Sequence, residues 1–183
     1  MEKVKIQLCG GIIPAKAHKN DACFDLFVPK RTVVMIGRQI IPLDFKMQLT
    51  PQWCAYIRSR SGFASKGLTV YLSCDTNYEH PIRIDADVIT GIVDSGYIGI
   101  VGVIMNCNGR VIHVEEKDQE YFTKITCSKE WDRQMVIKEG ERIAQMAILP
   151  VPEVEFEQVA KVDDSDRGEG GFGSTNKEKG GES

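Results

Sequence analysis

Apolar and polar residues alternate with a period of two along much of this chain. The alternation is clearest at Val4, Ile6, Leu8, Phe45, Met47 and Leu49. Turn-forming pairs such as Asn108-Gly109 and Glu139-Gly140 separate the apolar runs. Many short strands with close turns are typical of an antiparallel sandwich or barrel. Helical periodicity is confined to short stretches, and we expect one short helix over Ser61–Lys66 with Ser61 as its N-cap.

Composition divides the chain into two parts. We expect a β-domain over residues 1–160 and a flexible, glycine-rich tail over 161–183, since Phe172 is the one large apolar residue from Arg167 onward. Two polar segments, near 71–87 and 108–132, are predicted to be loops or extended hairpins outside the compact domain. These excursions are candidate surfaces for a protein partner.

Charge and length limit the classes of function. The 183 residues carry a formal net charge of -3, so no overall positive field would attract nucleic acid, and we expect no direct nucleic-acid binding. No apolar run resembles a signal peptide or a membrane span. The expected location is the cytoplasm, and a nuclear or viral origin fits the same observations. The scattered cysteines and histidines lack the spacing of a zinc site.

A basic segment could bind phosphate. Arg58-Ser59-Arg60-Ser61-Gly62 places guanidinium groups, hydroxyls and a glycine N–H close together, and each of these groups can hold a phosphate oxygen. The same residues also suit a solvated turn after a strand. The segment alone leaves both interpretations open.

Two carboxylates stand among apolar neighbours. Asp94 lies in a run from Gly91 to Gly99, with Tyr97 three residues later, and could orient and deprotonate a water molecule. Asp25 could lie near a hydrated Mg²⁺, which keeps several waters when it binds phosphates. Each aspartate also fits an ordinary hydrogen-bonded turn.

The tail contains closely spaced glycines that match neither common nucleotide-binding loop. No strand precedes them, no helix follows, and no Gly-Lys-Ser/Thr occurs, so Rossmann and P-loop interpretations fail. Arg167, Phe172, Ser174 and Thr175 nevertheless place a phosphate-binding group, a ring and hydroxyls on a chain that can bend around a ligand.

The order of these segments is more specific than any one of them. The chain contains, in order, Ala22-Cys23-Phe24-Asp25-Leu26, Arg60-Ser61-Gly62-Phe63-Ala64, Gly91-Ile92-Val93-Asp94-Ser95-Gly96-Tyr97, Gly140-Glu141-Arg142-Ile143-Ala144-Gln145 and Arg167-Gly168-Glu169-Gly170-Gly171-Phe172-Gly173-Ser174-Thr175. This series closely resembles the five ordered motifs of the trimeric dUTPase family. Cys23, where the family usually has glycine, and Ile98, where it commonly has a polar residue, depart from the pattern.

The resemblance implies a jelly-roll-like β-barrel that forms a homotrimer, with active sites at subunit interfaces and the tail acting as a lid. It implies Mg²⁺-assisted hydrolysis of dUTP to dUMP and pyrophosphate, which limits uracil in DNA and supplies dUMP. Asp94 would be the general base for a water that attacks the α-phosphorus, and Asp25 would contact Mg²⁺ through water. The residues expected to bind phosphates are Arg60, Ser61, Gly62, Gln145 and Arg167.

The remaining expected roles concern the nucleoside. Tyr97 would pack against the deoxyribose and exclude a 2′-hydroxyl, and backbone near Gly91 would bind the uracil edge. Phe172 would stack on uracil, with Gly173 and Ser174 closing over it.

Two alternatives use the same scaffold. The related dCTP deaminases need a catalytic glutamate on the strand after the aspartate turn, but ten residues beyond Asp94 the chain has Ile104, which cannot transfer protons. A regulatory nucleotide-binding protein without catalysis would be expected to lack Asp94, Asp25 or the tail motif.

Overall fold

The alternating pattern corresponds to short antiparallel strands. The computed structural model describes residues 3–126, 134–165 and 168. The chain divides into two units, Met1–Pro152 and Glu153–Ser183, and every strand and helix within the described ranges belongs to the first. Residues 153–165 of the second unit have no regular secondary structure. The predicted tail over 161–183 lies largely outside the described residues.

The elements follow one another closely along the chain. Their bounds are β1 (Lys5–Leu8), β2 (Phe24–Phe27), β3 (Thr32–Val34), β4 (Gly37–Pro42), β5 (Phe45–Gln48), β6 (Trp53–Arg58), α1 (Ser61–Lys66), β7 (Leu68–Leu72), β8 (Ile82–Val88), β9 (Gly91–Val93), β10 (Gly102–Val114), a 3-10 turn (Glu116–Asp118), α2 (Gln119–Thr126), β11 (Met135–Ile137) and β12 (Arg142–Pro150). Neither α1 nor α2 has the length and apolar character that a membrane-spanning helix needs.

Three antiparallel sheets form a jelly-roll-like β-barrel, which confirms the all-β fold. The strand orders are β1-β5, β3-β11-β7-β8-β10-β4 and β2-β12-β6-β9. In β8 every second side chain is buried, because successive residues of a strand point to opposite faces of the sheet. The alternation therefore fills one continuous apolar core, whose fully buried members include Leu26, Ile41, Phe45, Ile84, Met105 and Ile143.

The excursions are narrower than the sequence indicates. Ile82–Val88 is a core strand, so the loop within the predicted segment 71–87 spans only residues 73–81. The second segment is part of β10 as far as Val114, and Val111 faces Ile84 in register. In β8 the polar residues occupy the positions that alternate with buried ones, and β10 has no buried residue after Cys107, which explains why the polarity of both segments resembles that of loops.

The parts of the excursions that leave the barrel contact each other. Nδ1 of His80 lies 2.7 Å from Oδ1 of Asp118, whose residue is only 3% exposed. The ring of His80 also stacks on Tyr121 at a centroid distance of 3.8 Å. Asp75 accepts hydrogen bonds from the backbone N–H groups of Glu79 and His80. The loop at 73–81 and the helical segment after β10 therefore form one surface feature.

Candidate active site

A pocket of about 300 Å³ opens where β2, β6, α1 and β12 meet. Asp25 on β2 faces Gln145 on β12, and Gln145 faces Arg58 at the end of β6. This pairing brings the first, second and fourth sequence motifs to one place. The lining residues are Ala17, Asp21, Ala22, Cys23, Asp25, Arg60, Ser61, Gly62 and Gln145.

The carboxylate of Asp25 holds two arginines. Its Oδ1 accepts a hydrogen bond from Nε of Arg60 at 2.7 Å, and its Oδ2 lies 3.3 Å from Nη1 of Arg142. The Asp25 side chain is 14% exposed and that of Arg60 is 26% exposed, so solvent screens this pair less than a pair on the open surface. The carboxylate fixes the plane of the Arg60 guanidinium, which carries more N–H donors than these contacts use.

Neighbouring groups complete the polar side of the pocket. The side-chain amide of Gln145 donates one hydrogen to the carbonyl of Ser59 at 2.9 Å and has a second hydrogen to donate. Ser61 and Gly62 are exposed, and the first bond of α1 runs from Ala64 N–H to the Arg60 carbonyl. The N-cap of α1 is therefore Arg60 rather than the predicted Ser61, which leaves the Ser61 hydroxyl available to a ligand.

The third motif lies on β9 and the turn after it. Gly91 pairs with Ile57, and Val93 pairs with Ala55. Asp94 follows in an exposed turn closed by a 3.0 Å bond from Tyr97 N–H to the Asp94 carbonyl.

The Tyr97 ring is fixed although 47% of the residue is exposed. Its hydroxyl donates to the Ile100 carbonyl at 2.8 Å, and the ring covers Gly99 so closely that a Cβ there would lie 2.5 Å from the phenol oxygen. The turn therefore presents a carboxylate beside an ordered aromatic ring.

Within one chain the two halves of the expected site are apart. Arg58 faces Gln145 at one end of β6, whereas Asp94 lies one residue beyond the Val93–Ala55 pair toward the other end. That offset is four positions along the strand, or about 13 Å at about 3.3 Å per residue. The structure thus brings together Asp25, Arg60, Ser61, Gly62 and Gln145, and it places Gly91, Asp94 and Tyr97 elsewhere on the same barrel.

The sequence prediction omitted Arg142 and Asp21 from the site. Arg142 is visible in the sequence only as part of Gly-Glu-Arg-Ile-Ala-Gln, and its role depends on the pairing of β12 with β2, which brings it to Asp25. Of the predicted residues, Arg167, Phe172, Gly173 and Ser174 lie outside the described residues.

The donor set bears on the expected metal. The described ranges contain no group of three or more His, Cys, Asp or Glu side chains arranged to hold a metal ion. Asp25 is a single carboxylate that already faces two arginines. Such a residue suits a hydrated Mg²⁺ that is carried mainly by a ligand's phosphates, and it does not suit an ion enclosed by protein ligands.

The barrel and its pocket define a general class of protein. A guanidinium fixed by a carboxylate, a free hydroxyl, an amide and a glycine backbone converge in a small open pocket. These groups are typical of proteins that bind a phosphorylated small molecule.

Comparison with known proteins specifies the family. A family model described as dUTPase matches residues 10–119 and 123–176. The deoxyuridine 5'-triphosphate nucleotidohydrolase of Clostridium kluyveri is 33% identical over 166 residues, which is 90% of each chain. The corresponding protein of Clostridium tetani is 31% identical over 177 residues, or 96% of each chain. This chain belongs to the dUTPase family.

Solved structures agree with the fold. A dUTPase of Staphylococcus bacteriophage 80alpha with dUPNHPP has a TM-score of 0.67 and 25% identity, and the match covers 95% of this chain and 98% of that one. A mutant dUTPase from phage phi11 of S. aureus, described with a structural Mg(II) ion, has a TM-score of 0.63 and 20% identity, with coverage of 87% and 98%.

Proposed function

We propose that this protein hydrolyses dUTP to dUMP and pyrophosphate. Family membership supports the reaction, and one structural observation supports the site. That observation is the convergence of Asp25, Arg60, Ser61, Gly62 and Gln145, which come from three separate motifs, on one pocket. The groups present there are donors suited to phosphate oxygens, with Arg60 already oriented.

In the proposed reaction, Asp94 accepts a proton from a water molecule that attacks the α-phosphorus. The new bond joins the water oxygen to the α-phosphorus, and the bond from that phosphorus to the bridging oxygen breaks, so pyrophosphate leaves. The proton resides on Asp94 and then returns to solvent. Arg60, Ser61, Gly62 and Gln145 hold the phosphates in line, and positioning with charge stabilisation supplies most of the rate.

A homotrimer is part of this proposal because of the separation along β6. We call the pocket that Asp25 and Arg60 line the phosphate pocket. Within one chain, Asp94 lies about 13 Å or more from it, at about 3.3 Å per residue along β6. A neighbouring copy would supply Asp94, Gly91 and Tyr97 to the pocket of the first, and a closed threefold ring repeats that contact at each interface.

The apolar surface of the described barrel supports association. Met35, Ile36 and Ile40 are 61%, 74% and 68% exposed, and Ile104, which pairs with Ile40, is 38% exposed. Met35 and Ile36 lie between β3 and β4, and Ile40 and Ile104 lie on the paired strands β4 and β10. Such an exposed apolar surface is typical of one that another subunit covers.

Charge explains why Mg²⁺ belongs in the proposal. The pocket lining contains the carboxylates of Asp21 and Asp25 and one guanidinium, that of Arg60. A triphosphate needs more positive charge than this. Mg²⁺ with its waters would be held by the phosphates and by Asp25 through water, and would neutralise phosphate charge. Arg167 of the tail would add a further positive charge.

The proposed nucleoside contacts are those that the sequence motifs imply. The fixed ring of Tyr97 would pack on the deoxyribose and exclude a 2′-hydroxyl, and backbone near Gly91 would bind uracil. Phe172 would stack on the base, with Gly173 and Ser174 completing a lid over the bound nucleotide. The tail over 161–183 would thus order itself on the ligand.

Isotope labelling tests the proposed chemistry. Single-turnover hydrolysis of dUTP in ¹⁸O-labelled water is expected to place the label in dUMP, because water attacks the α-phosphorus. Mass spectrometry of both products reads the outcome. Label in pyrophosphate, or release of orthophosphate, would contradict attack at this position.

A further inference from the structure

A second pocket lies on the other side of Arg60 and Gly62. It measures about 320 Å³ and is bounded by α1, β7, β8 and the start of β12. Its residues are Arg60, Gly62, Phe63, Lys66, Gly67, Leu68, Thr69, Arg83, Glu141 and Arg142. We call it the basic pocket. It contains none of the residues expected to contact the nucleoside.

The basic pocket carries excess positive charge. Four cationic side chains and one carboxylate, Glu141, line it. Asp25 partly neutralises Arg60 and Arg142, whereas Lys66 and Arg83 form no salt bridge within the described residues. The first pocket, by contrast, has two carboxylates for one guanidinium.

The two pockets are neighbours with shared walls. Arg60 and Gly62 line both. Apart from its two chain neighbours and the backbone of its own helix, no described atom lies within 4 Å of the point where a Cβ on Gly62 would sit. An anion that leaves the phosphate pocket past Gly62 would therefore meet Lys66 and Arg83.

We propose that the basic pocket is a subsite for inorganic pyrophosphate, held by Lys66, Arg83 and Arg142. Binding of pyrophosphate at this subsite does not depend on the proposed function. The further claim, that the leaving group resides there after cleavage, rests on the proposed function. Cleavage frees a small polyanion beside a pocket whose lining has one more carboxylate than guanidinium, and the adjoining excess of positive charge attracts it. Guanidinium and ammonium groups are suited to condensed phosphates.

Calorimetric titration of the full chain with inorganic pyrophosphate in Mg²⁺-free buffer tests the subsite. The variant Lys66→Gln/Arg83→Gln is compared with Arg38→Gln/Lys46→Gln, which removes the same charge from β4 and β5 at residues that line neither pocket. We expect the dissociation constant for pyrophosphate to rise about tenfold in the first variant and less than about twofold in the control. The affinity for dUMP should stay unchanged in both.

Three results would overturn the inference: no pyrophosphate binding by the wild type, equal weakening in both variants, or equal loss of dUMP affinity. Lys66→Gln alone, at an exposed position of α1, serves if the double variant does not fold, and about a threefold effect is expected. If dUTP is not hydrolysed but pyrophosphate binding still depends on Lys66 and Arg83, the proposed function fails and the subsite stands. If dUTP is hydrolysed but pyrophosphate binding does not depend on Lys66 and Arg83, the proposed function stands and the subsite fails.

Discussion

Asp25 joins two arginines from distant parts of the chain: its Oδ1 lies 2.7 Å from Nε of Arg60, and its Oδ2 lies 3.3 Å from Nη1 of Arg142. Arg60 and Arg142 are 82 positions apart in the sequence. Asp25 and Arg60 line the phosphate pocket, and both arginines line the basic pocket. One carboxylate therefore organises the wall between the two.

Replacing Asp25 by asparagine tests this organisation. The amide has no charge to hold the guanidinium groups or to attract a hydrated cation, so we expect kcat/KM for dUTP to fall about 10- to 100-fold and half-maximal activity to need more Mg²⁺. Steady-state kinetics over a Mg²⁺ series measures both effects. Asp44→Asn is the matched control, because Asp44 pairs with Lys30, whose side chain is 66% exposed, and neither residue lines the pocket. Equal behaviour of the two variants would remove Asp25 from the site.

Mixed assemblies test whether Asp94 acts on the pocket of another copy. Asp94→Asn removes the general base and Arg60→Gln removes a phosphate donor, so each variant alone should lose about 10²–10⁴ in turnover. After the two are unfolded together and reassembled, about a quarter of the interface sites should contain both native residues.

Activity should therefore reappear in the mixture, at about a quarter of the wild-type value for random assembly. Separately refolded variants, pooled afterwards, are the control. A mixture that stays as inactive as its components would mean that each site is built within one chain.

The short β-strands and the family could be predicted from the sequence because alternation and motif order are local properties. The helix after Ser61 was also predictable, although its N-cap is Arg60. The pairing of strands that are distant in the sequence could not be predicted. The contact of Arg142 with Asp25 depends on the register of β12 against β2, and the distance of Asp94 from the pocket depends on where β9 meets β6.

The bounds of the two polar excursions likewise could not be predicted from the local sequence. The strand Ile82–Val88 has alternating polar positions, and these resemble a loop until the buried face of the sheet is known. In β10 the alternation of buried residues ends at Cys107, and the residues after Asn108 are exposed or partly exposed although they continue the strand.

Tyr97 should determine the preference for deoxyribose. Because the ring is held by Ile100 and packed over Gly99, Tyr97→Ala should open space for a 2′-hydroxyl and reduce the ratio of kcat/KM for dUTP over UTP at least about tenfold. Tyr97→Phe keeps the ring and loses only the hydrogen bond to the Ile100 carbonyl, so its ratio should remain near that of the wild type. Comparable ratios in all three proteins would show that sugar selection lies elsewhere.

The tail should be needed for turnover and not for assembly. Deleting Asp166 onward removes Arg167 and Phe172, and with them a phosphate contact and a base stack worth about 1–3 kcal/mol by analogy. The strands in the described part of the chain precede the deletion, so gel filtration should give the wild-type assembly while kcat/KM collapses. Deletion from Lys177 keeps the glycine-rich motif and should retain activity. A truncated chain that becomes monomeric would make the tail an assembly arm instead.

The substrate range tests the proposed function most directly. Specificity constants for dUTP, dTTP, dCTP and UTP should be measured on the full chain with Mg²⁺, with nucleotide products identified by chromatography. We predict that dUTP is preferred by at least about 100-fold and yields dUMP with one equivalent of pyrophosphate. Similar constants for all four nucleotides, or conversion of dCTP to dUTP with release of ammonia, would contradict the account.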